Sequence, residues 1–487
     1  MMRIFVLLTA VMAALCGCDN DSGGSLSYHD NGVSKNAVVP EYDAGTGSLF
    51  SSVYYVPPFA SDDIDYTGRF TIETAAARVY DNSRKIPPPN KSSDNSSGGK
   101  AKELERDIRL RELEKELLKH NGGDSENADK IINQSMLRTV PANIRAGDMW
   151  HDIYLYRGQS YPPRYDKINA ECIYVSPNAY WFAEENVIPY GAIDIASYAR
   201  DFETGYEIMK EKFGTAGDVD GNGKVIFLFA VLEGSTGGFF YSADKFKNNE
   251  LPEYYRSNEA DILYLNIDFA ANLDFKTFMT STLFHELQHM ILFDTRRAAG
   301  MNNMPDTWVN EGLSKLAEYY TGYAGSHEKG DKSSHYDFIF GLLKEHYDYS
   351  LTDFQDTVSY GYSLLFMRYL QERFGDGFIK GIYSDRNTGV NAVAASAGVY
   401  DFNELFKDFV YMILVTGRGI TDDRRYDILN FNLDKNNPEY AKQGFNLAEI
   451  ADKVWLDGYD TGTDEQRYGE AGKIFHSLNM KPYSFNM

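Results

Sequence analysis

The segment His285-Glu286-Leu287-Gln288-His289 holds two imidazoles four residues apart. On a helix such residues lie one above the other, so both rings can offer a nitrogen to one ion. Glu286 sits one residue round, close enough to take a proton from a water at that ion without filling a coordination position. A third ligand must come from elsewhere in the chain, and Glu311, in Trp308-Val309-Asn310-Glu311-Gly312, is the natural choice. Three protein ligands and a water form the arrangement of catalytic zinc. Read alone, the histidines could be satisfied core residues and Glu311 a carboxylate at a helix terminus. The chain has only 9 histidines, and two on one helical stripe, followed by a carboxylate on a second helix, favour a metal site.

The elements that must position these residues are legible in part. Phe275, Phe278, Met279, Leu283, Phe284, Leu287, Met290 and Ile291 recur at steps of three or four and predict a helix, with Asp274 as its N-cap. A second helix is expected from about Asp306, after Pro305, through Leu313, Leu316, Ala317 and Tyr320, with residues 295–304 reversing the chain. Residues 153–156, 172–175, 225–232 and 262–266 read as strands. The mixture predicts an α+β zincin-like domain, a mainly α-helical following lobe and a small β-rich N-terminal region. A cleft between the lobes would pair an extended peptide with an edge strand, for which residues 262–266 are the candidate.

Phe284-His285-Glu286-Leu287-Gln288-His289-Met290, Asp218-Val219-Asp220-Gly221-Asn222-Gly223-Lys224-Val225 and Ser257-Asn258-Glu259-Ala260-Asp261-Ile262-Leu263-Tyr264 resemble the hyicolysin family of neutral zinc metallopeptidases. Trp308-Val309-Asn310-Glu311-Gly312 is similar to the second-helix motif of gluzincins, in which the glutamate binds zinc. The resemblance spans roughly residues 172–370 and implies secreted or surface proteolysis. No Gly-Ala-Met-Glu-Asn segment of the gluzincin aminopeptidases is present, which favours an endopeptidase. A zinc aminopeptidase and a non-catalytic metal-binding surface lipoprotein are the alternatives.

Hydrolysis also needs a donor for the charge that grows on the carbonyl oxygen. Tyr360 and Tyr362 are candidates, since gluzincins are similar in using a tyrosine or histidine from the lobe after the metal helices. Packing is the competing role in a chain with 36 tyrosines. His335 is the rival, with His327 and His346 further possibilities. Asn310 is expected to orient the second metal helix or a nearby backbone group, and Glu318 to support a ligand imidazole. Trp308 is expected in the core, and Gly312 to let the two metal helices approach. Asp218, Asp220 and Asn222 resemble the start of a calcium loop, but position twelve is Phe229 rather than glutamate, so an Asx-rich turn is the equal alternative.

At the amino terminus, Arg3 and an apolar run over residues 4–15 precede Leu15-Cys16-Gly17-Cys18, which reads as a lipobox with Cys18 as the lipidated residue. Cys16 departs from the usual small residue there, and plain secretion after cleavage near Ala14 is the alternative. Loss of Cys16 and lipidation of Cys18 would leave Cys172 without a disulfide partner. The expected organisation is a signal peptide over 1–17 and a flexible tether over 18–34. Residues 35–135 should be a β-rich region with a polar excursion, a charged helix and a linker. A catalytic lobe over 136–325 and a helical lobe over 326–487 follow. The helix, residues 101–120, reads as solvated with one leucine stripe or as a short coiled coil. A net charge of −23 and pI near 4.8 oppose nucleic-acid binding. The expected protein is a monomer on an extracytoplasmic membrane face, held by its lipid and acting on peptides or proteins.

Overall fold

The computed structural model describes residues 23–30, 33–40, 54–55, 68–75, 97–121, 143–157, 162–187, 192–324, 335–345, 349–355, 357–399, 401–416, 423, 425–426, 473–480 and 485–486. The chain divides into two compact units. One comprises Met1–Ser93, Leu343–Leu351 and Ile450–Met487; the other comprises Asp94–Leu342 and Thr352–Glu449.

In the first unit, strands Gly23–Asp30, Val33–Pro40, Gly68–Ala75 and Lys473–Met480 form an antiparallel sheet, and Tyr54–Tyr55 pairs with Phe485–Asn486. The strands near residues 54 and 68 lie within the stretch expected to be β-rich. The tether expected over 18–34 differs: its described residues lie in two paired strands. Leu26 and Tyr28 alternate with Ser25 and Ser27, a period of two hidden by the polar composition. The divisions differ as well, because the charged helix belongs with the catalytic residues and the chain's end with its beginning.

The second unit is a zincin-like α+β domain. Its first helix is α1 (Ser97–Asn121). Six strands follow in sequence: β1 (Met149–Tyr156), β2 (Tyr165–Val175), β3 (Ala179–Glu184), β4 (Val225–Ala230), β5 (Gly238–Phe240) and β6 (Ile262–Asn266). Their order in the sheet is β1-β2-β3-β4-β6-β5. β3, β4 and β6 run parallel, and β5 returns antiparallel to β6. The strand expected at the edge is therefore covered on both sides, by β4 and β5. The edge is β5, whose short Gly-Phe-Phe run gives no alternation to read.

Helix α2 (Ile195–Lys212) is capped by Asp194, whose side chain accepts from the Ser197 N–H. It packs on α3 (Lys276–Ala298), which carries the HExxH segment. Gly205 permits the approach, since a Cβ there would lie 2.1 Å from the Phe284 ring. Asp274 does not cap α3. It lies in the 3-10 turn Leu273–Phe275, where its N–H is taken by Asn272. The C-terminal half of α3 is pinned by buried Lys245, which pairs with Asp261 before β6 and, at 2.7 Å, with Asp294 on α3. The N–H groups of Val219 and Gly217 complete those carboxylates, as burial of charge requires.

Helix α4 (Thr307–Thr321) follows the reversal and ends at Gly322, whose φ of 87° is the left-handed cap that favours glycine. Beyond it are α5 (His335–Glu345), α6 (Thr357–Phe374), α7 (Gly377–Ser384), α8 (Gly389–Ser396) and α9 (Phe402–Val415). Gly312 brings α4 against α6 rather than α3: a Cβ would meet Met367 Cγ at 2.6 Å and Ser363 O at 3.1 Å. Trp308 is buried beside Phe366 and Phe402, in the core as expected. Cys172 is a buried, unbridged thiol. Among the described residues no helix is long and apolar enough to cross a membrane.

Candidate metal centre and active site

Helix α3 places His285 and His289 one turn apart, with ring centroids 4.9 Å from each other. From α4, Glu311 reaches both: its Oε2 lies 3.1 Å from His285 Nε2 and its Oε1 3.6 Å from His289 Nε2. The Nδ1 atoms point the other way. His285 Nδ1 meets Glu318 Oε1 at 2.7 Å, and His289 Nδ1 meets Asn310 Oδ1 at 3.0 Å. With each Nδ1 engaged by an oxygen, each Nε2 faces Glu311, and the Ser314 hydroxyl also lies 3.1 Å from His289 Nε2.

Two bases back the first histidine. Lys315 Nζ donates to Glu318 Oε1 at 2.8 Å, and His335 Nε2 lies 3.0 Å from Glu318 Oε2. Burial alone would raise the Glu318 carboxyl, but Lys315, His285 and His335 hold it well below the usual range. Glu311 is likewise held low against its burial, by His289 and His285. Burial would lower His285, yet its bonds to Glu311 and Glu318 prevail and push it up to about 9. His289, buried and facing Arg111, is pulled down to about 3. Burial pushes Glu286 up to about 7, against the pull of His285 and Arg111. Glu286 Oε2 also accepts from the Phe240 N–H at 2.9 Å, so the base is tethered to edge strand β5.

The residues fit a metal. His285, Glu286 and His289 form a cluster whose ligand-type atoms lie within 4.8 Å of one another. Glu311 Oε1 is buried with no hydrogen-bond donor among the described residues, as a carboxylate awaiting a cation would be. Two imidazoles and carboxylate oxygen match the donor set of catalytic zinc.

The candidate oxyanion donors sit in three different places. Tyr362 is fully buried, with its ring near Phe406 and Phe409. His335 acts on Glu318, one step behind the histidine ligand. The Tyr360 hydroxyl donates to Asp107 Oδ2 at 2.9 Å, while Lys315 lies over its ring. His327 and His346 lie outside the described residues, as do Cys18 and the signal segment.

Sequence reasoning found the helix α1 but missed its place at the site. Arg111 Nε lies 3.8 Å from Glu311 Oε1, and Glu114 Oε2 accepts from Asn310 Nδ2 at 3.0 Å. Burial pushes Glu114 up to about 8, against the pull of Arg111. The signal was present: Arg111 and Glu114 interrupt the stripe of Leu104, Leu110, Leu113, Leu117 and Leu118, where a solvated helix would carry no charge.

Beside the Asp218 loop, Asp261 adds a third carboxylate, and the oxygens of Asp218, Asp220 and Asp261 lie within 4.8 Å of one another. The Asn222 Oδ1 accepts from the Lys224 N–H, and its Nδ2 donates to Asp220, forming an Asx-type turn. Burial and neighbouring Asp261 push Asp220 up to about 7.

No family model matches the chain. The neutral metalloprotease ShpI of Staphylococcus hyicus is 29% identical over 198 residues, covering 37% of this chain and 42% of that protein. The similarity is to a metalloprotease. The chain spans less than half of that relative's length. HExxH geometry, zincin-like fold and this similarity together support a zinc-dependent metallopeptidase catalytic site.

Proposed function

We propose that the protein is a lipid-anchored, extracytoplasmic zinc metalloendopeptidase of the hyicolysin type. The observation that carries the enzymatic reading is the convergence of His285 Nε2 and His289 Nε2 on Glu311, with Glu286 beside them. Zinc held there would polarise a water and the scissile carbonyl. Glu286 would take the proton of that water and deliver it to the leaving amine. Its tether to the Phe240 N–H places the base next to β5, the edge with which an extended substrate would pair. Tyr360 is the proposed oxyanion donor, because Lys315, which lies over its ring, also bonds Glu318 behind His285. Tyr362 is a packing residue and His335 a positioning residue in this account.

Internal cleavage rests on the absent amino-terminus-holding segment. Products from a library of blocked and unblocked peptides, mapped by mass spectrometry, test it. Cuts inside blocked peptides are expected, whereas trimming of unblocked peptides alone would indicate an aminopeptidase. Zinc binding with no cut in either set would indicate a binding protein. For the anchor, intact-mass analysis of the amino-terminal peptide should show lipid on Cys18, absent in Cys18→Ser. An unmodified terminus elsewhere would remove the anchor from the account. Calcium at the Asp218, Asp220 and Asn222 loop, joined by Asp261, is proposed on the shared reach of the three carboxylates.

A further inference from the structure

Helix α1 borders one metal ligand and several of the groups around the centre. Arg111 stands beside the metal ligand Glu311, and Glu114 takes the amide of Asn310, which orients His289. Asp107 holds the Tyr360 hydroxyl. Arg106 donates to Thr236 just before β5, and α1 packs on the 3-10 turn Ser242–Lys245 just after it, so the helix meets the chain on both sides of the substrate edge. The consequence is a closed site. Glu286 is 8% exposed, and Arg111, though charged, only 2%. An extended substrate, at roughly 3.3 Å per residue, needs open room along β5 to bring a scissile bond to Glu286, and α1 packs against the chain at both ends of that strand.

We propose that α1 is an internal inhibitor that occupies the substrate groove and keeps the peptidase latent until it is displaced. The proposal rests on the peptidase reading above. A permanent wall of the cleft would leave Tyr360 and the Glu311 side of the centre turned toward substrate; α1 instead consumes them. Arg111 is the clearest sign. Its Nη2 pairs with Glu114 on the same helix at 3.2 Å, while its Nε and Nη1 have no hydrogen-bond acceptor among the described residues and Nε lies 3.8 Å from Glu311, the carboxylate that should face a dication. Such a contact weakens when a cation binds Glu311, which biases α1 toward release. Its apolar hold comes from Leu104, Leu110, Leu113, Leu117 and Leu118, all buried.

The test uses the full-length, zinc-loaded protein, with a short peptide hydroxamate as a probe of access to the centre and blocked peptides as substrates. Leu113→Asp with Leu117→Asp should dislodge α1; Arg111→Ala should loosen it. Hydroxamate affinity and kcat/KM are both expected to rise about tenfold or more, as the competent fraction grows. A synthetic peptide of residues 97–121 should reverse both gains in competition with the probe. Unchanged or lower hydroxamate affinity, with zinc content and circular dichroism retained, would make α1 a structural wall and overturn the proposal. Tighter hydroxamate binding without any cleavage would uphold the occluding helix and sink the peptidase reading instead. If the leucine variant fails to fold, a specific protease site inserted within residues 122–142 and cut after folding gives the same two readouts: a rise in hydroxamate affinity upholds the inhibitor, and no rise overturns it.

Discussion

At the centre, each histidine ligand has a different partner behind it, and the difference has a measurable result. His285, pushed up to about 9 by Glu311 and Glu318, carries an extra proton at neutral pH before metal binds, whereas His289, near 3, does not. Zinc must displace that proton. Binding at pH 7 should release about one proton, and affinity should climb with pH until about 9 and then level off, because the competing proton is then gone. Calorimetry in buffers of different ionisation enthalpy measures this; no release at pH 7 would contradict the assigned protonation. Removing the support should also be felt. Glu318→Ala is expected to weaken zinc by roughly 10- to 100-fold, and His335→Ala by less, since Lys315 still holds Glu318. Equal zinc affinity in Glu318→Ala and wild type, read by chelator competition, would remove Glu318 from the centre. Sequence spacing showed His285, Glu286 and His289 because helical geometry alone brings them together. It showed the partner residues less fully, because Glu318 meets His285, and His335 meets Glu318, only through the packing of three helices.

The elements were legible where a helical period or an unbroken apolar run stands out, as in the fully buried β4 and β6. The HExxH helix and the four strand candidates have counterparts in the structure, at shifted bounds. β3 and β5 escaped for opposite reasons. Ala179–Glu184 is buried along its whole length, so it shows no alternation, and Gly238–Phe240 is too short to show one. The N-cap assigned to Asp274 failed because an extra 3-10 turn precedes α3. Close packing between elements gives the sharpest test at this scale. Gly312→Ala forces a methyl against Met367 and the Ser363 carbonyl, so a loss of about 1–3 kcal/mol is expected in urea unfolding. Stability equal to wild type would mean that α4 and α6 are less tightly apposed than the structure shows. Lys245→Met should cost more, roughly 3–5 kcal/mol, because it strands Asp261 and Asp294 in the interior. A loss below that of Gly312→Ala would show that the two carboxylates are satisfied without the lysine.

Across the whole molecule, the division of the chain was the part least legible in the sequence. Composition marks polar stretches but not which segments return to pack with which, so α1 read as a surface helix although it belongs to the catalytic unit. The same helix governs how the central claim must be tested, since an enzyme closed by α1 would report little turnover. The most direct measurement is therefore the cleavage of amino-terminally blocked peptides by the zinc-loaded protein with α1 dislodged, compared with Glu286→Gln in the same background and with zinc content assayed in both. The account predicts equal zinc and internal cuts by the first protein, and a loss of roughly 10²-fold or more in the second, because the variant keeps the ligands and lacks the base. Equal cleavage by both, or no cleavage by a zinc-loaded protein whose centre binds the hydroxamate, would contradict it.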